Sequence, residues 1–270
     1  MKTITTLLCV FFLTGILWAE NIALAQQEIQ QAPQVKTLAK YMQKTLDKID
    51  GSMARLIESS AGKINNETEI RVLLTASLKG QPAVVTSNFI DNKGVLLYTE
   101  PAEYKEIEGS DISKQDHIRA MMKQPEPIFS SVFKAVEGFA SVAIARPLFD
   151  DKKNYVGSLV LTIDPALLVT LTLKNNKVPA EFELWTMQTD GMIVGEQDQE
   201  EIGKILFTDP MYDDYKTLRI LGKKMISEPS GEGEYSFYAT GTTDVVTKQA
   251  TWDTISLHGR NWIVVLVRRV

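Results

Sequence analysis

Residues 89–101 read FIDNKGVLLYTEP, and residues 184–197 read LWTMQTDGMIVGEQ. In each, a short apolar strand enters a polar turn that closes on glycine, and a second strand leaves it. Gly94 and Gly191 stand 97 positions apart, and a glycine at that point lets the turn take a positive φ. Working outward, Glu106-Ile107-Glu108-Gly109 follows the first hairpin and Glu201-Ile202-Gly203-Lys204 follows the second. Each leads to a helical stretch and then to closing strands that end in the apolar runs Tyr155–Ile163 and Trp262–Val270. A unit of roughly 95 to 105 residues that occurs twice is not a solenoid but two copies of one module.

The remaining pattern fills in the modules. From Gln27 to about Ala61, Val35, Leu38, Tyr41, Met42, Thr45, Leu46, Ile49, Met53, Leu56 and Ile57 recur at helical steps, with Pro33 suited to the helix start. A second helix is predicted over Glu67–Leu78, capped by Asn65 or Asn66. Strands follow at Ala83–Asp91, Val95–Thr99, Ile128–Ala135, Ala140–Phe149 and Tyr155–Ile163, with a short helix over Ser113–Lys123. Pro165 ends that unit, and Ala166–Lys174 reads as a helix. The second copy has strands at Phe182–Gln188, Met192–Gly195, Gly233–Ala239, Val245–Leu257 and Trp262–Arg268. Short links between consecutive strands imply antiparallel sheets. The fold class is therefore α+β: a long N-terminal helix followed by two tandem modules, at 26–80 (helical region), 81–165 and 166–270.

Residues 1–25 are set apart. Lys2, the apolar run Leu7–Trp18 and Ala23-Leu24-Ala25 before Gln26 have the order of a secretory signal peptide, and the run is short for a membrane span. The protein is expected in the periplasm or outside the cell, the alternative being an uncleaved N-terminal anchor. Cys9, the one cysteine, lies in this segment, so residues 26–270 have no disulfide and no thiol chemistry. A net charge of −5 and the lack of any basic run argue against nucleic acid.

Catalytic patterns are missing as well. There is no nucleophile elbow; Ser230-Gly231-Glu232-Gly233 reads as a turn. His117 and His258 are the only histidines; they fall in different modules, read as surface or loop residues, and show no metal-ligand spacing. Asp209 before Pro210 fits a helix cap, and Arg146 before Pro147 reads as structural. Glu196, Asp198, Glu200 and Glu201 read as a solvated acidic loop. Trp185, Tyr212, Tyr215 and Trp252 read as core packing. No enzyme, metal or cofactor is expected.

The stretch Phe139-Ala140-Ser141-Val142-Ala143-Ile144-Ala145-Arg146-Pro147-Leu148-Phe149-Asp150, followed by Tyr155-Val156-Gly157-Ser158-Leu159-Val160-Leu161-Thr162-Ile163-Asp164, resembles the signature of the double Cache sensors. Ile202–Pro210 is similar to a segment of their membrane-proximal half. The resemblance covers about residues 28–270 and implies an exported, non-catalytic sensor of two PAS-like modules that binds a small molecule in the first, membrane-distal one. Amino-acid-binding members carry Tyr-x4-Arg-x-Trp-aromatic and a terminal Asp. Arg119 and Asp164 match the Arg and Asp, whereas Lys114, Met121 and Met122 replace the aromatic positions, so amino-acid specificity is not carried over. The expected ligand site is Arg119, Met121, Met122, Phe129, Ser131, Phe133, Ser141 and Asp164. Phe129, Ser131 and Phe133 share one strand face. Arg119 would grip a small organic acid against the adaptable Met wall. With no output domain after Val270, the expectation is either a free-standing ligand-binding protein or one that passes its signal to a separate, membrane-bound signalling protein. The alternative is an adaptor that docks another exported or membrane protein through the exposed side of the long helix, Tyr41 to Ile57; the same helix could pair in a homodimer.

Overall fold

The computed structural model of the protein describes residues 34–60, 66–239 and 241–270. The expected signal segment, Pro33 as helix start and Asn65 as a cap lie outside the described residues. Val35–Val270 form one compact unit.

Helix α1 (Val35–Ser59) has 25 residues, about 37 Å at 1.5 Å per residue. Leu38, Met42, Leu46, Ile49 and Met53 are buried along one stripe, as their three- and four-residue spacing requires. Helix α2 (Glu67–Leu78) starts at Asn66, whose side chain accepts from the Glu69 amide at 3.1 Å.

The first sheet comprises β1 (Val84–Asp91), β2 (Leu96–Glu100), β3 (Ile128–Phe129), β4 (Phe133–Lys134), β5 (Ala140–Phe149) and β6 (Tyr155–Ile163). Its order is β2-β1-β6-β5-β3, with β4 also paired to β5. Helix α3 (Asp116–Lys123) lies between β2 and β3, and α4 (Pro165–Asn175) leads out. The second sheet comprises β7 (Phe182–Gln188), β8 (Ile193–Gly195), β9 (Ser230–Tyr238), β10 (Val245–Leu257) and β11 (Arg260–Arg269), in the order β8-β7-β11-β10-β9. Helix α5 (Lys216–Ser227) precedes β9. All pairings are antiparallel, and in both sheets the last strand of the module is the central one.

The repeat extends to single hydrogen bonds. Gly94 and Gly191 take φ of +86° and +90°. Their carbonyls accept from the Ile112 and Leu206 amides, each at 2.9 Å. Gly109 and Gly203, with φ of +88° and +86°, donate to Leu96 O and Ile193 O at 2.7 and 2.8 Å. A Cβ on Gly94 would lie 2.6 Å from Ser113 Cα, and one on Gly191 would lie 2.4 Å from the Phe207 ring, so both turns exclude any larger residue.

Each sheet is covered twice. Alternating residues, such as Val142 and Ile144 of β5 and Val264 and Leu266 of β11, face a core shared with α1. Their neighbours face the other way: Ala143 and Ala145 towards α3, Ile263 and Val265 towards α5. This two-sided burial explains why the central strands read as unbroken apolar runs. Two expectations are corrected. The strand predicted over Ile128–Ala135 is interrupted, because Ser130 turns its hydroxyl onto the Ala143 amide at 2.8 Å. Ser230–Gly233 belongs to β9 rather than a turn; its glycines are needed because a Cβ on Gly231 or Gly233 would meet Trp252 or Leu221 at 2.4 Å.

Helix α1 also ties the modules together. Arg146 of β5 donates to both oxygens of Asp50, at 2.8 and 2.7 Å, and His258 in the β10–β11 turn meets Asp50 Oδ1 at 2.9 Å. Arg146 is thus structural, as expected. Burial raises the Asp50 pKa, but the hydrogen bonds from Arg146 and His258 outweigh it and hold the carboxyl below its ordinary value.

Candidate functional site

The eight expected ligand residues do not converge on one cavity. Arg119 is exposed on α3, its side chain 67% accessible, and pairs with Asp116 at 2.5 Å. Asp164 caps α4, accepting from the Leu167 amide at 3.0 Å. Met121 is core, with Met122 and Phe133 packed beside it. Ser141 pairs in register with Phe133 and has a buried hydroxyl without a partner. Phe129 packs on the opposite, α1-facing core, because the break at Ser130 switches faces between Phe129 and Phe133; Ser131 is half-buried in that break.

The first module holds a small cavity, with about 10 Å³ of room by a measure on which one water takes roughly 10–15 Å³. Phe133 lines it, whereas Arg119, Met121, Met122 and Asp164 do not. Asn88, Thr162 and Glu137 of its wall belong to one hydrogen-bond network. Asn88 donates to Thr86 and Thr162 at 2.9 and 3.1 Å and accepts from Thr99 at 2.5 Å, while Thr86 donates to Glu137 at 2.6 Å. His117 also lines this cavity. It is buried, not at the surface as its sequence context suggests, and its ring lies 4.5 Å from that of Phe133. Burial pushes its pKa down to about 4, against the opposing pull of Asp116.

The second module holds the larger and chemically richer cavity, with about 60 Å³ of room by the same measure, enough for a molecule of a few heavy atoms. Strand β7 contributes Glu183 and Trp185, β9 contributes Tyr235, Phe237 and Tyr238, and β10 contributes Lys248. Period-two alternation sends Glu183 and Trp185, and Tyr235 and Phe237, to the α5 side of the sheet, while Tyr238 reaches the cavity from the end of β9. The loop after β8 brings Glu196, Asp198 and Glu201, and the short 3-10 turn Pro210–Tyr212 brings Met211 and Tyr212. Asp209 caps that turn through the Met211 amide at 3.0 Å, as the Asp-Pro pair predicts.

The acidic residues are not a solvated face; Glu196, Asp198 and Glu201 line the cavity. Lys248, 6% accessible, pairs with Glu183 at 2.5 Å. The Tyr212 hydroxyl donates to Glu201 Oε2 at 2.9 Å. Burial, reinforced by the nearby Glu201 charge, pushes the Glu196 carboxyl up to about 8. Burial also raises Glu201, with Asp198 adding to it and the Tyr212 hydrogen bond opposing it. The Tyr212 and Tyr235 phenols are pushed up by the same burial and by the neighbouring carboxylates. Trp185 is buried, and its indole N–H faces the Tyr235 hydroxyl, where it opposes the upward shift of that phenol. Core packing, as expected, accounts for Trp252 and Tyr215, but Trp185 and Tyr212 are cavity wall as well. Their separation in the chain hides this, since only the sheet pairing brings residues 183–185, 235–238 and 248 side by side.

Residues 44–165 match the family model described as HK/GC/Chemotaxis protein-like, sensor domain. Among solved structures, the chain is similar to an extracellular ligand binding receptor from Desulfohalobium retbaense, with 24% identity over 87% of this chain and a TM-score of 0.69. The protein spans 39% of that receptor's chain. It is also similar to the ligand-binding domain of the Pseudomonas aeruginosa amino acid chemoreceptor PctB in complex with L-Arg, at 15% identity, 87% and 85% coverage and a TM-score of 0.61. A third is the ligand-binding domain of the Pseudomonas fluorescens chemoreceptor CtaA in complex with L-serine, at 14% identity, 93% and 98% coverage and a TM-score of 0.59. No curated protein sequence matches. The chain thus has the fold of the double Cache, extracytoplasmic sensor domains. Among the described residues no helix is long and apolar enough to cross a membrane.

Proposed function

We propose that this chain is a non-catalytic, extracytoplasmic sensory protein that binds a small molecule in the cavity of its second module. One observation carries the reading. The second-module cavity is the larger and brings Glu196, Asp198 and Glu201 together with Tyr212 and Trp185, whereas the first-module cavity has room for about one water and its Asn88–Thr86–Thr162 network is closed on itself. Binding would be transmitted through β7, β10 and β11 to α1, where Asp50 joins both modules, to a membrane-bound signalling partner.

Docking of a partner protein along α1 has less support. The apolar residues of its stripe are spent in the core, and no large hydrophobic of α1 is exposed among the described residues. The test is a thermal-shift screen of residues 26–270, which contain the whole compact unit, against amino acids, amines, organic acids and purines. A ligand at a hundredfold excess over Kd stabilises by about 2.7 kcal/mol. Ala239→Phe narrows the second-module cavity, and Gln115→Trp narrows the first. The reading requires hits that vanish in Ala239→Phe and persist in Gln115→Trp; the opposite pattern, or a silent panel, overturns it.

A further inference from the structure

We infer that the open cleft between the two modules, a site separate from the second-module cavity, binds a small monocarboxylic acid with a short apolar tail, its carboxylate held by Arg260.

The cleft lies where Ala120, Pro127 and Ile128 of the first module meet the β7–β8 and β10–β11 turns of the second. It has about 330 Å³ of room on the same measure as the cavities, and boundaries between structural units are frequent places for small ligands. None of its wall residues lines the second-module cavity.

Arg260, the first residue of β11, reaches across the junction. Its Nε donates to Phe129 O of the first module at 2.8 Å, and its Nη1 donates to Gln188 Oε1 of the second at 2.6 Å. The Gln188 amide is fixed in that sense, because a reversed amide would set its nitrogen against the guanidinium. Both acceptors are neutral. They fix the plane of the guanidinium without neutralising it, and they use two of its five N–H groups. Among the described residues no carboxylate pairs with Arg260, whereas Arg71, Arg119, Arg146 and Arg219 each have one. Burial lowers the Arg260 pKa, opposed by Asp190 from a distance. A half-buried guanidinium with a preset plane, spare donors and no counter-ion in contact fits an incoming carboxylate.

The rest of the wall narrows the class. The His258 ring is taken by Asp50 at 2.9 Å. Asp190, exposed at the rim, accepts from the Met192 amide at 3.0 Å and keeps its negative charge in the cleft. A second carboxylate on the ligand would be repelled there, so a monoacid fits better than a diacid. Ala120, Pro127 and Ile128 carry no charge and suit a short aliphatic tail.

Calorimetry of residues 26–270 with butyrate as the probe tests this, against acetate as the acid without a tail, butylammonium as the reversed charge and inorganic phosphate as an oxyanion without a tail. Butyrate is expected to bind, acetate about threefold or more weakly, and butylammonium not at all. Arg260→Met should weaken butyrate by about tenfold or more. Ala120→Trp, a change on an exposed helix position, fills the cleft and should abolish binding at an unchanged Tm, so it decides the matter even where Arg260→Met fails to fold. Asp190→Asn keeps an acceptor for the Met192 amide and should tighten butyrate about threefold. Ala239→Phe in the second-module cavity should leave it unchanged. A silent titration with butyrate overturns the inference, as does binding unchanged in Ala120→Trp or equal binding of butylammonium. Phosphate binding as tight as butyrate would make this a plain oxyanion site and overturn the assignment to a carboxylic acid. Loss of butyrate in Ala239→Phe but not in Ala120→Trp would move it to the second-module cavity and overturn the cleft site.

Discussion

Asp50 of the long helix accepts from Arg146 Nε and Nη2 at 2.8 and 2.7 Å, a bidentate pair between α1 and the first sheet. The same carboxylate meets His258 of the second sheet, so one side chain joins three elements far apart in sequence. Asp50→Ala leaves the Arg146 guanidinium facing a void. Breaking a buried pair costs about 3–5 kcal/mol; the Arg146 side chain is 21% accessible, so about 3 kcal/mol is expected in urea unfolding. A loss under 1 kcal/mol would show the clamp to be incidental.

His117 makes the fold acid-sensitive. Its pKa falls from 6.5 to about 4 on folding, so between those values the unfolded chain binds more protons than the folded one. The stabilising effect of keeping it neutral is complete above pH 6.5 and is lost as pH falls towards 4. The total is about 3 kcal/mol at 1.4 kcal/mol per unit. His117→Phe should flatten the urea midpoint between pH 6.5 and 4 relative to the parent chain.

Glu196 works in the opposite direction. Its carboxyl is raised from 4.5 to about 8 in the fold, so its cost is absent below pH 4.5 and grows as pH rises to 8. Since Glu196 is partly open to solvent, the recoverable amount is discounted to about 2 kcal/mol. Glu196→Gln should therefore raise Tm at pH 8.5 and leave it unchanged at pH 4.

The hairpin turns are intolerant of side chains. Gly94→Ala combines a φ of +86° with a Cβ 2.6 Å from the Ser113 backbone, and is expected to cost about 2 kcal/mol or more. Gly109→Ala has a similar φ of +88° but nothing within 4 Å of the added Cβ, and should cost about 1 kcal/mol, from the backbone alone. Equal losses by thermal denaturation would show that the Ser113 contact is unimportant.

Much of the fold is legible along the chain, because local rules govern it. Strands β5, β6, β7 and β10 run between the residues expected, since their Val- and Ile-rich runs end at turn residues. The Asp209-Pro210 cap and the two glycine turns are equally local. The hidden features depend on distant partners. Ser130 breaks a strand by bonding Ala143, His117 is buried because α3 places it beside Ile118 and Met121, and β9 keeps its glycines for Trp252 and Leu221. The second-module cavity is hidden in the same way. Glu196 to Glu201 look like a solvated loop until β7, β9 and β10 wall them in, while Arg119, the expected anion grip, points to solvent.

Hydrogen exchange of the backbone amides, with and without a compound that raises Tm, tests most directly where the ligand sits. The account predicts protection concentrated in peptides spanning residues 183–206 and 210–239, with residues 84–137 little changed. Protection concentrated in 84–137 would contradict it and return the ligand to the first module.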